Sequence, residues 1–263
     1  MRTPMETGET NRTATGGMLV LGWDGETLFW LALKDRRVQE YGSEVFSGDW
    51  SSIRAKMGSY PTVRVTWLRP VFSLLPVPVA EGLEQEVMAL QHGKTDLGLR
   101  TFRTDRLGEA LLLIENDLVG VDDSLNVRWP LHTWSSATLG WLESKGKVSA
   151  NSDFKISVFI NVGRKRALMC RFHQGSLRWC LATEDLEGTG LLYHVVNSMV
   201  RDDLDPQVEK VEVEIGGAIQ NDSPIIQDFS RFFTAVRMED HGLIWSDGEP
   251  EASGMWSLLQ YAI

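Results

Sequence analysis

Apolar and polar residues follow one another in a pattern that predicts the same order of elements twice along the chain. In the first half, three apolar segments predict strands over Met18–Trp23, Glu26–Lys34 and Val38–Phe46. Asp24-Gly25, between the first two, is typical of a tight hairpin turn. The further predictions are a helix over Trp50–Met57, strands over Val63–Leu68 and Phe72–Pro76, an amphipathic helix over Val79–Gln91, a strand over Ala110–Ile114, and helices over Asp117–Leu125 and Thr133–Glu143.

The second half repeats this order. Apolar segments predict a meander of three strands over Phe154–Val162, Arg166–Phe172 and Leu177–Ala182. The predictions that follow are a helix over Gly190–Arg201, a strand over Val211–Ile215, a helix over Pro224–Phe233 and a strand over Ala235–Met238. Three meander strands followed by alternating helix and strand predict a mixed sheet with helices on its faces, which is the order of a ribonuclease-H-like unit.

A polar stretch of small residues, Gly146–Ser152, is predicted to be the main domain boundary. Residues 1–17 lack an apolar segment and predict a flexible tail. The predicted lobes are therefore 18–146 and 153–248, and residues 249–263 are expected to pack back on the body.

Charge narrows the range of partners. The chain of 263 residues has a net charge of −10. Residues 183–263 hold 16 acids and 4 bases (net −12), whereas residues 1–182 hold 20 acids and 22 bases (net +2). This balance argues against nucleic acid binding, which needs a basic surface. An unknown protein partner with a basic surface is the hypothesis that fits the acidic part.

The apolar segments also bear on location. No run of 18 apolar residues is present, so no insertion into a membrane is expected. Because residues 1–17 do not resemble a signal peptide, a cytoplasmic protein is expected.

The two cysteines lie in neighbouring predicted strands. A two-residue loop at Gln174-Gly175 would pair Cys170 with Trp179 and leave Cys170 and Cys180 on opposite faces of the sheet. Free, buried thiols are therefore expected.

A family resemblance rests on several short motifs over about residues 18–245. Val63–Leu68 is followed by Phe72-Ser-Leu-Leu-Pro76 and a helix, Asn161-Val-Gly163 follows the first strand of the second half, and Gly216-Gly217 follows Val211–Ile215. In this order the chain resembles an uncharacterised bacterial family of the actin-like ATPase superfamily. The resemblance implies an α/β fold with mixed sheets, in which two ribonuclease-H-like lobes form an actin-like arrangement with a cleft between them. It implies no known reaction.

The resemblance also implies where a nucleotide would bind. In active actin-like ATPases each lobe has a hairpin that carries an Asp, which holds Mg²⁺ through water, and a Gly, which lets backbone N–H groups approach phosphate. A Gly-Gly pair passes close to the adenosine. The candidate residues of such a nucleotide cleft, which we expect to be vestigial, are Asp24, Gly25, Asn161, Gly163, Gly216 and Gly217.

The residue types at these positions argue against nucleotide binding at this candidate site. Asp24-Gly25 is explained by a tight turn, and Trp23 and Glu26 would put bulk and charge where phosphate should pass. Asn161 stands where an acid is needed, and a neutral amide neither anchors Mg²⁺ through its water nor accepts a proton well. The five histidines lie apart without ligand spacing.

No catalytic residue, metal site or cofactor is therefore predicted, although binding of ATP with Mg²⁺ stays open. The leading hypothesis is a non-catalytic actin-like binding or scaffold protein. The alternatives are a divergent ATPase or kinase that uses Asp24 and Gly216-Gly217, and a nucleotide sensor without hydrolysis.

Overall fold

The computed structural model describes residues 17–35, 37–45, 60–68, 72–92, 98–107, 109, 111–117, 132–240, 242–246 and 253–262. The predicted tail up to residue 16, the predicted helix Trp50–Met57 and residues 118–125 of the next predicted helix lie outside the described residues.

The elements follow one another in an order close to the predicted one. The strands are β1 (Met18–Trp23), β2 (Thr27–Lys34), β3 (Arg37–Val45), β4 (Thr62–Trp67), β5 (Phe72–Pro76), β6 (Gly98–Thr104), β7 (Leu111–Asp117), β8 (Thr133–Trp134), β9 (Ile156–Val162), β10 (Ala167–His173), β11 (Ser176–Thr183), β12 (Val211–Gly217), β13 (Ala235–Met238) and β14 (Ile244–Trp245). The helices are α1 (Val77–Ala80), α2 (Glu84–His92), α3 (Ala137–Ala150), α4 (Gly188–Val200), α5 (Pro224–Phe232) and a C-terminal 3₁₀ helix, η1 (Ser253–Ala262).

Two sheets share one topology. The first sheet has the order β14-β3-β2-β1-β4-β8, and the second has the order β11-β10-β9-β12-β13. In each, three antiparallel meander strands are followed by parallel strands on the other side of the first one. The predicted α/β class with two lobes of mixed sheet is therefore confirmed. A third, small sheet, β5-β7-β6, is inserted in the first half.

The central strand of the second sheet separates two cores. All seven residues of β9 are buried, as expected for a strand covered on both faces. Val158 and Ile160 pack into a core shared with α4 and α5. Phe159 faces the other way, into the core that also contains Trp141 of α3 and Leu259 of η1. The inner face of the second lobe thus packs on α3 and η1.

Two predicted helices differ from the structure. The helix predicted over Val79–Gln91 is broken at Gly82, which has φ of +83° and separates α1 from α2. Helix α3 begins later than predicted, since Ser136 caps it by accepting from the N–H of Leu139 at 3.0 Å. Trp134 therefore lies in β8 rather than on a helix with Trp141.

The strand register around the cysteines was also predicted wrongly. The two-residue turn at Gln174-Gly175 is present, with positive φ at both residues. However, a bulge between Arg171 and Phe172 shifts the pairing by one residue, so Cys170 lies directly opposite Cys180. Both are free thiols, as predicted, but only Cys170 is fully buried, whereas Cys180 is partly exposed.

Three segments near the predicted ends of the lobes contact the other lobe. Helix α3 continues through Gly146–Ala150, the first part of the predicted boundary stretch. Strand β14, which lies within the predicted span of the second lobe, pairs with β3 of the first sheet. The chain then returns as η1, which contacts α3, β12, β1, β2 and β4. Among the described residues, no helix is both long and apolar enough to cross a bilayer.

Candidate functional site

The turns of two hairpins, β1–β2 and β9–β10, meet in the structure. Lys165 Nζ lies 2.6 Å from Glu26 Oε2, and the Arg164 guanidinium carbon lies 5.5 Å from the centre of the Phe29 ring. The hydrogen bond and charge of Lys165 lower the pKa of Glu26, and the same bond raises the pKa of Lys165. The two loops that would face each other across a nucleotide cleft are therefore in direct contact.

Asp24 and Gly25 form the first of these turns. Asp24 Oδ1 accepts from the backbone N–H of Thr27 at 2.7 Å and of Glu26 at 3.1 Å. Gly25 has φ of +97°, with open space where a Cβ would lie. The Asp24 carboxylate is thus engaged by its own turn, as an Asx turn requires.

Gly22, near the end of β1, faces the interior of the protein. Side chains alternate between the two faces of the sheet along β1. Trp23 packs on one face, and Gly22 lies on the opposite face. A Cβ at Gly22 would lie 2.3 Å from Leu259 Cδ2 and 2.9 Å from Leu68 Cγ. An apolar side chain of η1 therefore packs directly against the end of β1.

The matching end of β9 also contacts η1. Asn161 is fully buried, and its amide Nδ2 donates to Ser257 Oγ at 3.1 Å and to Glu239 Oε2 at 3.4 Å. Gly163 begins the turn, its N–H donating to the Arg166 carbonyl at 2.8 Å. Asn161 is therefore held by side chains of η1 and of the segment after β13.

Gly216 and Gly217 lie beside Asn161 and Val162 in the parallel pairing of β12 with β9. Gly217 has φ of +97°, and a Cβ there would lie 2.0 Å from the Val162 carbonyl oxygen. A Cβ at Gly216 would lie 2.1 Å from Glu239 Oε2. Both glycines are thus required by protein contacts, one for its backbone conformation and one for the approach of Glu239.

The structure therefore divides the predicted residues into two groups. Asn161, Gly216 and Gly217 lie together beneath η1, where β9 and β12 end. Asp24, Gly25 and Gly163 lie in the two turns, which the Glu26–Lys165 ion pair joins.

A buried charged cluster next to this site was not predicted. Lys145 Nζ of α3 lies 2.6 Å from Glu214 Oε1 and 2.7 Å from Glu239 Oε1, and all three side chains are nearly inaccessible. Tyr261 of η1 donates its hydroxyl to Glu239 Oε1 at 2.9 Å. Arg237 contacts the second oxygen of Glu214 at 2.5 Å. We call Lys145, Glu214, Glu239 and Tyr261 the buried cluster.

The electrostatics of the buried cluster follow from its geometry. Burial alone would lower the pKa of Lys145, but the charge of Glu239, the Tyr261 hydroxyl and Glu214 outweigh it, so this pKa is raised. Burial and the Glu239 carboxylate raise the pKa of the Tyr261 hydroxyl. At neutral pH the lysine is thus charged and the phenol protonated. The only sequence signal was the alternation of Glu212 and Glu214 with apolar residues in a central strand.

The cluster has no metal-binding geometry. Within the ranges that the structure describes, no three His, Cys, Asp or Glu side chains are grouped as metal ligands would be. Because Lys145 takes one oxygen of each glutamate, the two carboxylates are arranged to hold an ammonium group rather than a divalent cation.

Comparison with known proteins identifies the fold. No protein-family model and no curated protein matches the chain. A crystal structure from Bacteroides thetaiotaomicron, of a protein with an actin-like ATPase fold and unknown function, superposes with a TM-score of 0.74 over 96% of this chain and 99% of that one, at 13% identity. The chain has an actin-like fold.

Two further structures are similar to this actin-like protein. The PilM–PilN type IV pilus biogenesis complex matches with a TM-score of 0.63 at 7% identity, over 93% of this chain and 97% of that one. The cytoplasmic domain of EpsL, an inner membrane component of the type II secretion system of Vibrio cholerae, matches with a TM-score of 0.50 at 10% identity, over 94% of each chain. At these identities the likeness concerns the actin-like fold alone.

Proposed function

We propose that this actin-like protein is a non-catalytic binding or scaffold protein. One observation carries the proposal: η1 of the same chain occupies the space between the strand ends that would flank a nucleotide. Leu259 packs on Gly22 at the end of β1, and Ser257 bonds Asn161 near the end of β9. A bound phosphate chain would need this space and would need backbone N–H groups aimed into it.

The residues present do not fit a magnesium nucleotide. The Asp24 carboxylate accepts two N–H groups of its turn. Asn161 offers an amide that is already bonded within the protein. Phosphoryl transfer depends on metal charge and positioning, and the other carboxylates described near the two strand ends are held within the protein: Glu26 by Lys165, and Glu239 by Lys145 and Tyr261.

A role in assembly is consistent with two of the similar structures. PilM is named in a complex with PilN, and EpsL is named as a component of a secretion system. We extend to this chain only the class of role, that of binding another protein.

Calorimetric titration with ATP and ADP in the presence of Mg²⁺, together with a phosphate-release assay, tests the proposal. We expect neither heat of binding nor turnover. Mg²⁺-dependent turnover that disappears in Asp24→Asn, while the fold survives, would instead establish a divergent ATPase or kinase. Thermal stabilisation by a nucleotide without turnover would establish a nucleotide sensor.

A further inference from the structure

Helix α2 and the residue directly before it present two leucines to solvent. Leu83, whose carbonyl accepts the first helical bond from Val87, is 51% exposed, and Leu90, seven residues later, is 88% exposed. Residues seven apart lie on one face of a helix. The opposite face is packed, since Met88 is fully buried against Val77 and Ile114. The apolar residues of the inner face already anchor the helix on the core. Leu83 and Leu90 lie on the other face, so they do not contribute to the internal core.

The helix is held firmly in this orientation. Ser73 of β5 donates to Gln91 at 2.5 Å, and His92 Nε2 lies 3.1 Å from the Phe72 carbonyl oxygen. Both contacts fasten the C-terminal end of α2 to the small sheet, while Met88 anchors its middle. The outward leucines are therefore presented on a rigid support, which reduces the entropy lost on binding.

The charged residues of α2 and of the segment directly before it have one sign. Residues 77–92 contain Glu81, Glu84 and Glu86 and no Lys or Arg. Glu86 lies three residues after Leu83 and four before Leu90, so it shares their face. Helix α4 offers a comparison, because Tyr193 and Val200 are 64% and 56% exposed there, but the helix itself, Gly188–Val200, contains no Asp or Glu.

We propose that the outer face of α2, formed by Leu83, Glu86 and Leu90 with Glu81 beside it, binds a cationic amphipathic helix of a partner protein. The proposal rests on the binding role proposed above and names the class of partner. The leucines bury apolar side chains of that helix, and the glutamates pair with its lysines or arginines. An anionic membrane surface is disfavoured because the same carboxylates repel it.

The test uses the full chain and a fluorescein-labelled synthetic helix of leucine and lysine with one apolar face, titrated by fluorescence anisotropy. Leu83→Ser with Leu90→Ser is compared with Tyr193→Ser with Val200→Ser, which removes similar exposed apolar area from α4. We expect the α2 pair to weaken binding at least about tenfold and the α4 pair to change it less than about twofold. Circular dichroism checks that both variants are folded.

Two further measurements test whether the glutamates contribute to binding and whether the partner is a peptide rather than a membrane. Glu81→Gln with Glu86→Gln should weaken binding and flatten its dependence on salt. Equal losses in the α2 and α4 variants, or binding to phosphatidylglycerol vesicles rather than to the peptide, would overturn the proposal. Neither outcome alters the nucleotide titration, so failure of this inference and failure of the proposed non-catalytic role are distinguishable.

Discussion

At the scale of single residues, Lys145 is the side chain on which the buried cluster depends. Its ammonium group lies between Glu214 and Glu239, and replacing it by Met leaves the buried Glu239 carboxylate without a counter-charge and Glu214 with Arg237 alone. We expect Lys145→Met to lower the free energy of unfolding by about 3–5 kcal/mol, the usual cost of breaking a buried ion pair from one side. Urea unfolding followed by circular dichroism measures it.

A matched control lies two residues further along the same helix. Lys147 is exposed, so Lys147→Met should change the unfolding free energy by no more than about 0.5 kcal/mol. Adding Glu214→Gln and Glu239→Gln to Lys145→Met should recover part of the loss, because neutral amides are less costly to bury than unpaired charges. If Lys145→Met and Lys147→Met are equally stable, the cluster does not stabilise the fold.

The two thiols provide a second test at this scale. Burial raises the pKa of Cys170 well above its usual value and that of Cys180 to about 12. Since only the thiolate reacts, alkylation by iodoacetamide at pH 8 should be slower than for a free thiol of pKa about 8.5 by roughly a thousandfold. Mass spectrometry of native and urea-unfolded protein compares the rates. Equally rapid labelling in both would show that the thiols are accessible and ionised.

Individual residues also show where sequence analysis reaches its limit. The turn at Gln174-Gly175 could be predicted because Gly175 adopts positive φ without steric cost and lies between two apolar segments. The bulge beside Arg171 could not, since it depends on tertiary contacts: the Arg171 side chain is buried and bonded to Ser198 and Asp202 around the end of α4. A shift of one residue was enough to bring Cys170 opposite Cys180.

At the scale of elements, the contact between β1 and η1 can be tested by substituting Gly22. A Cβ there would overlap Leu259 and crowd Leu68, so Gly22→Ala should destabilise the protein by about 1–3 kcal/mol. Leu259→Ala alone should cost about 2–5 kcal/mol because it leaves a cavity. The double variant should lose less than the sum, since each change relieves the other. Strict additivity in urea unfolding would mean that the two residues are not in contact.

The elements themselves were mostly predictable. Long apolar segments of strands and amphipathic helices were identified from their periods, including every strand and helix of the second lobe. The exceptions have local causes: Gly82 divides a continuous apolar pattern into two helices, and β6, β8 and β14 are too short or too polar to stand out. Of the candidate site, the glycine turns and Asn161 were predicted from their residue types and stay a prediction as a nucleotide site, whereas the buried cluster was not predicted because it joins residues from four separate segments of the chain.

At the scale of the whole molecule, the C-terminal helix η1 links the two lobes that the sequence pattern predicts. Helix η1 contributes Leu258 and Leu259 to the core that holds both β1–β2 and the inner face of β9–β10. Its Tyr261 reaches Glu239 after the last strand of the second lobe, and the carbonyl of Ala262 accepts from Ser135 at 2.8 Å. The two lobes thus share one core, instead of meeting only at a hinge. This is the physical basis for expecting a fixed rather than a closing cleft.

A shared core predicts that both lobes unfold together. Trp179 is the one tryptophan among residues 153–240, so tryptophan fluorescence reports chiefly on the first lobe, whereas far-ultraviolet circular dichroism reports on both. In urea the two signals should give the same midpoint for the full chain. Deleting residues 247–263, which removes η1, should separate the midpoints or lower both, because the lobes then keep only α3, the pairing of β14 with β3 and the contact of the hairpin turns.

The control is Glu26→Gln, which breaks the exposed ion pair between those turns and leaves η1 in place. It should leave the two midpoints coincident, since an exposed pair is screened and contributes little. Separate midpoints in the full chain would mean that the lobes fold independently despite η1. Coincident and unchanged midpoints in the deleted chain would assign the coupling to α3 and the β14–β3 pairing instead. Either result would also weaken the case that η1 keeps a nucleotide out of the cleft. A segment that contributes no stability there would be displaced by a ligand at little cost in free energy.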